Sequence, residues 1–413
     1  MKLRRVAITG IGALTPLGHG RAGLWQGVLA GRSAVRRITR FDPSPYRSQI
    51  AGEVDDFDPL DWMDAKKARR LDRFSQFSLA CGQLALEDAE LKIDPVWADE
   101  AAVYVGSALG GLAYAEQQHA EFLSRGLRSV EPMLALSVFA GASSCNLAME
   151  LGVTGPNMSN TDSCASGAVA IGEAFRLIKY GLARVAVAGG VETPLAPLTF
   201  SSFSVIRALS TRNDEPERAS RPFDRARDGF VMAEGAAMVV LEDLEFARAR
   251  GARIYAEVLG YGLTNDAFNM IAPLPDGSQS ARAMRLALAE ARFEPTEVDY
   301  LNAHASSTQL GDATEVLAIN QVFGQNAGRL AVSGTKGLHA HALGASGAEE
   351  MAIAILALHE EYLPPTINLD EPDPDCGLDL IPNQGRRQRI DSCMNNSFGF
   401  GGINSSIVIG RVA

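Results

Sequence analysis

Cys164 stands in a run of small and polar residues, Asn160-Thr-Asp-Ser-Cys-Ala-Ser-Gly, that opens an amphipathic stretch over Ala168–Tyr180. A thiol at a helix mouth faces backbone N–H groups and the positive end of the helix dipole, which favour thiolate and lower its pKa. Ala165, Ser166 and Gly167 leave room for a substrate backbone. The alternative is a buried structural cysteine, since a free Cys also serves as a small hydrophobe. His304 follows the β-rich run Tyr300–Ala303 and precedes the hydroxyls Ser306 and Thr308. Strand ends are where α/β sheets place ligands, although those hydroxyls can equally satisfy a structural histidine. Lys336, His339 and His341 share the segment Gly334-Thr-Lys-Gly-Leu-His-Ala-His-Ala-Leu-Gly. Two His at i, i+2 can ligate a metal, but no other cluster has ligand spacing, so no metal is expected. The turn Asn396-Ser-Phe-Gly-Phe-Gly-Gly can aim N–H groups at an anion, or simply close a hairpin. One cysteine with several separate histidines fits a nucleophilic thiol.

These residues need a scaffold. Apolar runs at Val6–Ile11, Ala101–Val105, Val185–Ala188, Ala237–Leu241, Tyr255–Val258, Tyr300–Ala303, Ile390–Met394 and Ser406–Ile409 predict strands, several buried on both faces. Helices are predicted over Arg69–Ala89, Ala168–Tyr180, Leu244–Arg250, Ser280–Ala291, Asp312–Phe323 and Ala348–His359. The alternation predicts a layered α/β fold. Asn213–Arg227, dense in Pro, Arg and Asp, reads as a surface loop. A seam near Gly251 divides the chain into residues 1–251 and 252–413.

Composition excludes other classes. The 413 residues are 46% hydrophobic and 21% charged, ordinary for a globular chain and unlike disorder or coiled coil. A net charge of −11 opposes whole-chain binding to nucleic acid or anionic membrane. Five cysteines without CxxC spacing suit a reducing compartment. The Gly-broken start reads as a strand rather than a signal peptide, and no stretch approaches the ~20 apolar residues of a span. A cytoplasmic location is expected. No GxxxxGK[ST], HExxH or GxSxG motif is present.

The order Cys164, His304, Lys336 with His341, then the Gly-Phe-Gly-Gly turn resembles the β-ketoacyl-acyl carrier protein synthases, condensing enzymes of the thiolase superfamily, and most of all their synthase II subgroup. The resemblance spans nearly the whole chain and includes the segments 6–18, 207–214, 221–236 and 364–370. It implies the thiolase fold, an α-β-α-β-α stack of two similar halves. It implies a decarboxylative Claisen condensation in fatty acid biosynthesis. An acyl group moves from a carrier protein's phosphopantetheine to Cys164 and is then attacked by malonyl-carrier protein after loss of CO2. No further cofactor is implied.

By the same resemblance, His304 and His341 donate to the enolate, and the N–H groups of Cys164 and Phe400 form the oxyanion hole. Lys336 holds Glu350 and the histidine region in place. Glu315 and Asp312 match family acids near the lysine. Ser306 and Thr308 contact the pantetheine arm, Phe400 gates acyl passage and Leu109 lines the acyl pocket. Carrier protein is acidic, so docking needs a local basic patch, for which Lys66, Lys67, Arg69 and Arg70 at one helix start, with Arg207, are candidates. The implied assembly is a homodimer, or a heterodimer with a chain-length-factor-like partner. Departures from the family pattern occur at Asn160, Asp162, Ser163, Ala305-Ser306, His339-Ala340 and Ile403. Asp162 is expected to raise the Cys164 pKa. The departures keep open a ketosynthase of a specialised type II polyketide or polyene pathway. A non-catalytic partner subunit typically lacks the nucleophile. A degradative thiolase needs a second cysteine, for which Cys393 is the candidate.

Overall fold

The ten residues of β1, Val6–Thr15, are all buried, as an apolar strand covered on both faces should be. The computed structural model describes residues 3–374 and 376–412. In it β1 lies at the middle of one long sheet. The other main strands are β2 (Ala101–Gly106), β3 (Asn157–Asn160), β4 (Val185–Glu192), β5 (Gly235–Asp243), β6 (Ala256–Asn265), β7 (Tyr300–Asn302), β8 (Ala331–Ser333), β9 (Ser392–Gly399) and β10 (Ile403–Gly410). Their order is β8-β7-β9-β10-β6-β1-β5-β4-β2-β3.

That order is a duplication. Outward from the β1–β6 seam, where Val6 opposes Val258, the first five strands run β1-β5-β4-β2-β3 and the second five β6-β10-β9-β7-β8. In both sets the two inner pairings are antiparallel and the two outer ones parallel. The fold is the thiolase fold expected from the resemblance. Helix α1 (Arg73–Asp88) and helix α2 (Ala142–Leu151) cover the first half, while α4 (Ser278–Ala291) and α5 (Gln309–Phe323) cover the second. Between the halves lie α3 (Ser166–Lys179) and α6 (Ser346–Glu360), which pack on strands of both and on each other. Every residue of α6 from Ser346 to Leu358 is buried. Gly167 allows this contact, because a Cβ there would fall 2.9 Å from the Gly344 carbonyl and 2.9 Å from the Ala348 Cβ.

Three expectations are corrected. The helix predicted over Arg69–Ala89 starts only at Arg73 and runs to Asp88. A short turn, Ala65–Ala68, ends at Arg69, and α1 starts afresh at Arg73 because the Asp72 carboxylate caps the Ser75 N–H. Lys66, Lys67, Arg69 and Arg70 therefore do not open one helix. The segment Asn213–Arg227 is not a surface loop throughout, since Arg221, Asp224 and Arg227 are buried. Two short strands, β3 and β8, went unpredicted because β3 is polar and β8 is three residues long. Among the described residues no helix is long and apolar enough to cross a membrane.

Candidate active site

Cys164 sits in a single 3-10 turn, Ser163–Ala165, that runs directly into α3. Ser163 adopts a left-handed φ of 52°, which turns the chain from β3 into the helix. The thiol is buried, and burial pushes its pKa up from the ordinary value. The Ser163 hydroxyl, 3.8 Å from Sγ, the Lys336 charge and the Phe400 N–H pull it down. The expectation of a lowered pKa at this helix mouth is not met, because desolvation outweighs the groups that pull the thiol down. The acid that raises it further is Glu192 rather than Asp162.

His304 and His341 approach the same space from two other loops. Their rings meet edge to face with centroids 5.4 Å apart, and His341 also meets Phe230 at 5.2 Å. Burial, then the nearby Lys336 charge, holds both imidazoles well below the ordinary histidine pKa, so both are neutral at neutral pH. Nδ1 of His341 is 2.7 Å from the Ser346 hydroxyl at the start of α6.

Lys336 is fully buried. Its ammonium pairs with Glu350, donates to the His304 carbonyl, and stands 3.4 Å from Nδ1 of His304. Burial pushes the Glu350 carboxyl up to about 7 while Lys336 pulls it down. Glu315 accepts from the N–H groups of His304 (2.9 Å) and Ala305 (2.8 Å) and from the Asn396 amide (3.2 Å). Asp312 accepts from the N–H groups of Ser307 (3.0 Å) and Phe223 (2.8 Å). Both acids thus hold the loop after β7, which carries His304. The buried Arg227 completes that clamp by donating to the carbonyls of Thr308 and Gln309.

A cavity of about 300 Å³ opens on these groups. Cys164, His304, His341 and Phe400 line it together with Ser306, Thr308, Glu315 and, at residue 207, the only one of the five predicted docking cations to do so. Leu109 does not line it. That side chain packs in the apolar cluster around Cys164 with Phe200, Phe203, Phe230 and Leu343. Lys66, Lys67, Arg69 and Arg70 do not line it either, and Lys67 is engaged in an ion pair with Glu150. Cys393 is fully buried in the central core of the sheet, away from the cavity lining, so the thiolase alternative lacks its second thiol. The Gly-rich segment takes the hairpin form foreseen as one of its two readings. It is the β9–β10 hairpin turn, and it borders the cavity.

Sequence reasoning missed Glu192. This buried carboxylate accepts from the Ser107 hydroxyl and from the N–H groups of Ala108, Leu109 and Gly344. It therefore ties the loop bearing Leu109 to the loop that follows His341. Burial pushes it up to about 7 against those donors. Ser346 and Asp266, which borders the cavity, were also missed.

The family model for the beta-ketoacyl synthase N-terminal domain matches residues 3–247, and that for the C-terminal domain matches residues 255–370. The chain is 44% identical to the 3-oxoacyl-[acyl-carrier-protein] synthase 2 of Synechocystis, over 98% of each chain. It is 44% identical to the protein of that name from Coxiella burnetii, over 100% of each. Among solved structures it superposes on the ishigamide ketosynthase/chain length factor with a TM-score of 0.93 at 35% identity, covering 100% of each chain. A type II polyketide ketosynthase in complex with its acyl-carrier protein gives 0.90 at 33% identity, again over 100% of each. With Cys164, His304 and His341 lining one cavity and Lys336 buried against His304, the chain belongs to the beta-ketoacyl synthase family and is an acyltransferase.

Proposed function

We propose that the protein condenses an acyl group held on Cys164 with malonyl-acyl carrier protein, as a 3-oxoacyl-[acyl-carrier-protein] synthase of fatty acid biosynthesis. The observation that carries this reading is the single cavity that receives Cys164, His304 and His341 from three separate loops. The Cys164 thiolate attacks the acyl thioester on the carrier's phosphopantetheine arm. Thioester exchange with a thiol is nearly isoenergetic, which suits Cys better than Ser. The tetrahedral oxyanion is received by the N–H groups of Cys164 and Phe400. Gly399 lets these approach, since a Cβ there would fall 3.1 Å from the Cys164 nitrogen.

In the second half-reaction the malonyl group loses CO2, and negative charge develops on its thioester oxygen. Lys336 has no lone pair, so Nδ1 of His304 must accept and its N–H sits on Nε2. A Ser346 hydroxyl that donates to Nδ1 of His341 leaves the second imidazole in the same tautomer. Two neutral Nε2–H donors then stabilise the enolate, each worth ~10²–10³-fold. The carbanion attacks the acyl carbon, the C–S bond breaks, and the Cys164 thiolate leaves.

Ser306 and Thr308, 3.0 Å apart on the cavity wall, hold the pantetheine arm. Phe400, its ring stacked against Phe203, gates acyl passage towards the apolar cluster that includes Leu109. Arg207 at the mouth is the first contact for an acidic carrier protein. Lys66, Arg69 and Arg70 extend the attraction from further off. Among the described residues no strand pairs with the outer edge of the end strand β3, which supports a dimer closed across it.

A second reading, a ketosynthase of a specialised type II polyketide or polyene pathway paired with a chain-length-factor-like chain, is favoured by the departures at Asn160, Ser163 and His339 and by the likeness to such structures. The test of the shared chemistry is malonyl decarboxylation. Cys164→Ala abolishes condensation and leaves decarboxylation measurable, whereas His304→Ala and His341→Ala each cut it sharply. Decarboxylation that survives in both histidine variants overturns the enolate role. Condensation by the purified chain alone favours the homodimeric fatty acid enzyme. A requirement for a second, cysteine-less chain favours the polyketide reading.

A further inference from the structure

His339 and Glu349 take no part in the chemistry above, yet both are fully buried beside the residues that do. His339 ends the short helical turn Lys336–His339, two residues before His341. Glu349 lies in the first turn of α6, next to Glu350. Nδ1 of His339 stands 3.3 Å from Oε2 of Glu349. Nε2 of His339 is 3.1 Å from Oγ1 of Thr335, the residue before Lys336. Among the described residues, neither His339 Nδ1 nor either Glu349 oxygen makes a hydrogen bond, and the two groups meet only in this 3.3 Å approach.

The donors around each buried carboxylate decide its charge. The buried Glu192 carboxylate takes four donors and the buried Glu315 takes three. An ionised carboxylate in the core needs such donors, or a charged partner, to offset its lost hydration. Among the described residues Glu349 has no donor, and the one group that stands near its carboxylate is the His339 ring. An imidazolium beside it would place a second charge in the same dry space, close to the Lys336 ammonium.

We infer that His339 and Glu349 share one proton as a neutral pair, and that this pair positions Lys336 and His341 for decarboxylation. The Glu349 hydroxyl donates to Nδ1 of His339, and the imidazole N–H at Nε2 donates to Thr335. This fixes the turn that carries Lys336. Neutrality matters because the Lys336 ammonium then has one carboxylate to choose, Glu350. An ionised Glu349, one residue away on the same helix, would compete for it and draw it from His304. Burial pushes the Glu349 carboxyl up to about 8, against the pull of Lys336, and pushes the His339 imidazole down to about 4. The titratable groups whose charges couple to the pair are Lys336, Glu350, His341 and, for Glu349, Cys81 of α1.

The inference rests on the decarboxylation reading, and the experiment separates the two. Malonyl-carrier decarboxylation is followed in a Cys164→Ala background, which removes the thiol's own titration. Glu349→Ala and His339→Ala lower its kcat by about tenfold or more with KM little changed. Glu349→Gln keeps an uncharged donor to Nδ1 at every pH. It retains kcat within about threefold of the parent at pH 7. It also lacks the alkaline decline that the parent shows above about pH 8. The chain has six histidines, so ¹⁵N-histidine NMR of the protein without these substitutions reads the proton directly. At pH 7 His339 is the neutral Nε2–H tautomer. An imidazolium signal for His339, Glu349→Gln as impaired as Glu349→Ala, or an unchanged alkaline limb overturns the inference. If the alanine variants do not fold, the glutamine variant and the NMR spectrum still decide it. Intact decarboxylation in His304→Ala and His341→Ala would instead sink the functional reading and leave the NMR result standing.

Discussion

Lys336 grips His304 at two points, with its ammonium donating to the His304 carbonyl and standing 3.4 Å from the ring Nδ1. One buried cation therefore sets both the place of the histidine and its tautomer. Lys336→Met removes the cation and every donor it offers. Decarboxylation falls by about 10²-fold, because the His304 N–H is no longer held on Nε2. The pH dependence of Cys164 alkylation also moves upward, because the lysine charge favours the thiolate. Radiolabelled CO2 release and iodoacetamide trapping measure the two effects. Full decarboxylation in this variant removes the lysine from the account.

The mechanism proposed for decarboxylation uses the two imidazoles as neutral donors. Burial, then Lys336, depresses both pKa values well below 6.5, so the folded protein binds fewer protons there than the unfolded chain does. By linkage, these two groups withdraw stability as pH falls below about 6.5. Activity follows the folded values instead. Decarboxylation by Cys164→Ala stays near its maximum at pH 6 and declines only further into acid. A pH–rate profile with its midpoint at 6.5 would contradict neutral-donor catalysis.

Much of the scaffold was legible in the sequence because buried strands are apolar throughout, and β1, β4 and β5 announce themselves that way. The site was legible as separate fragments, since Cys164, His304 and His341 each stand beside Gly or hydroxyl residues at an element end. What remained hidden depends on distance in space. The upward push on the Cys164 thiol comes from desolvation by residues far off in the chain, which no local helix-dipole argument contains. Glu192 looked like any strand-end acid. Its role exists only because Ser107–Leu109 and Gly344 converge on it. The break at Asp72 was readable in principle, as an Asp three residues before Ser75 is a helix start.

The turn beside the nucleophile depends on Gly402, whose φ is +79° and where a Cβ would fall 2.7 Å from the Asp266 Cβ. Gly402→Ala strains the backbone by ~1–2 kcal/mol and pushes the Phe400 N–H off the sulfur. Cys164 acylation from acyl-carrier protein slows by about tenfold or more, while decarboxylation, which relies on the histidines, changes little. Equal loss of both half-reactions would assign the turn a merely structural role.

Of the five cations read from the sequence as a docking patch, Arg207 borders the cavity and Lys67 is tied to Glu150. Arg207→Glu raises KM for acyl-carrier protein and spares acyl-CoA analogues, with the difference shrinking at high salt. Lys67→Glu changes KM far less. An equal effect of both variants would restore the broader patch. An Arg207→Glu loss shared by acyl-CoA would point to the pocket itself rather than to docking.

The proposed condensation passes through a covalent acyl intermediate on one sulfur. Intact-mass and peptide mass spectrometry after incubation with a panel of acyl-carrier proteins should find one acyl adduct, on the peptide that contains Cys164. The adduct should be absent from Cys164→Ala and be discharged as the extended product on addition of malonyl-carrier protein. An adduct on another residue, or product formation by a chain that carries no acyl group at Cys164, contradicts the account.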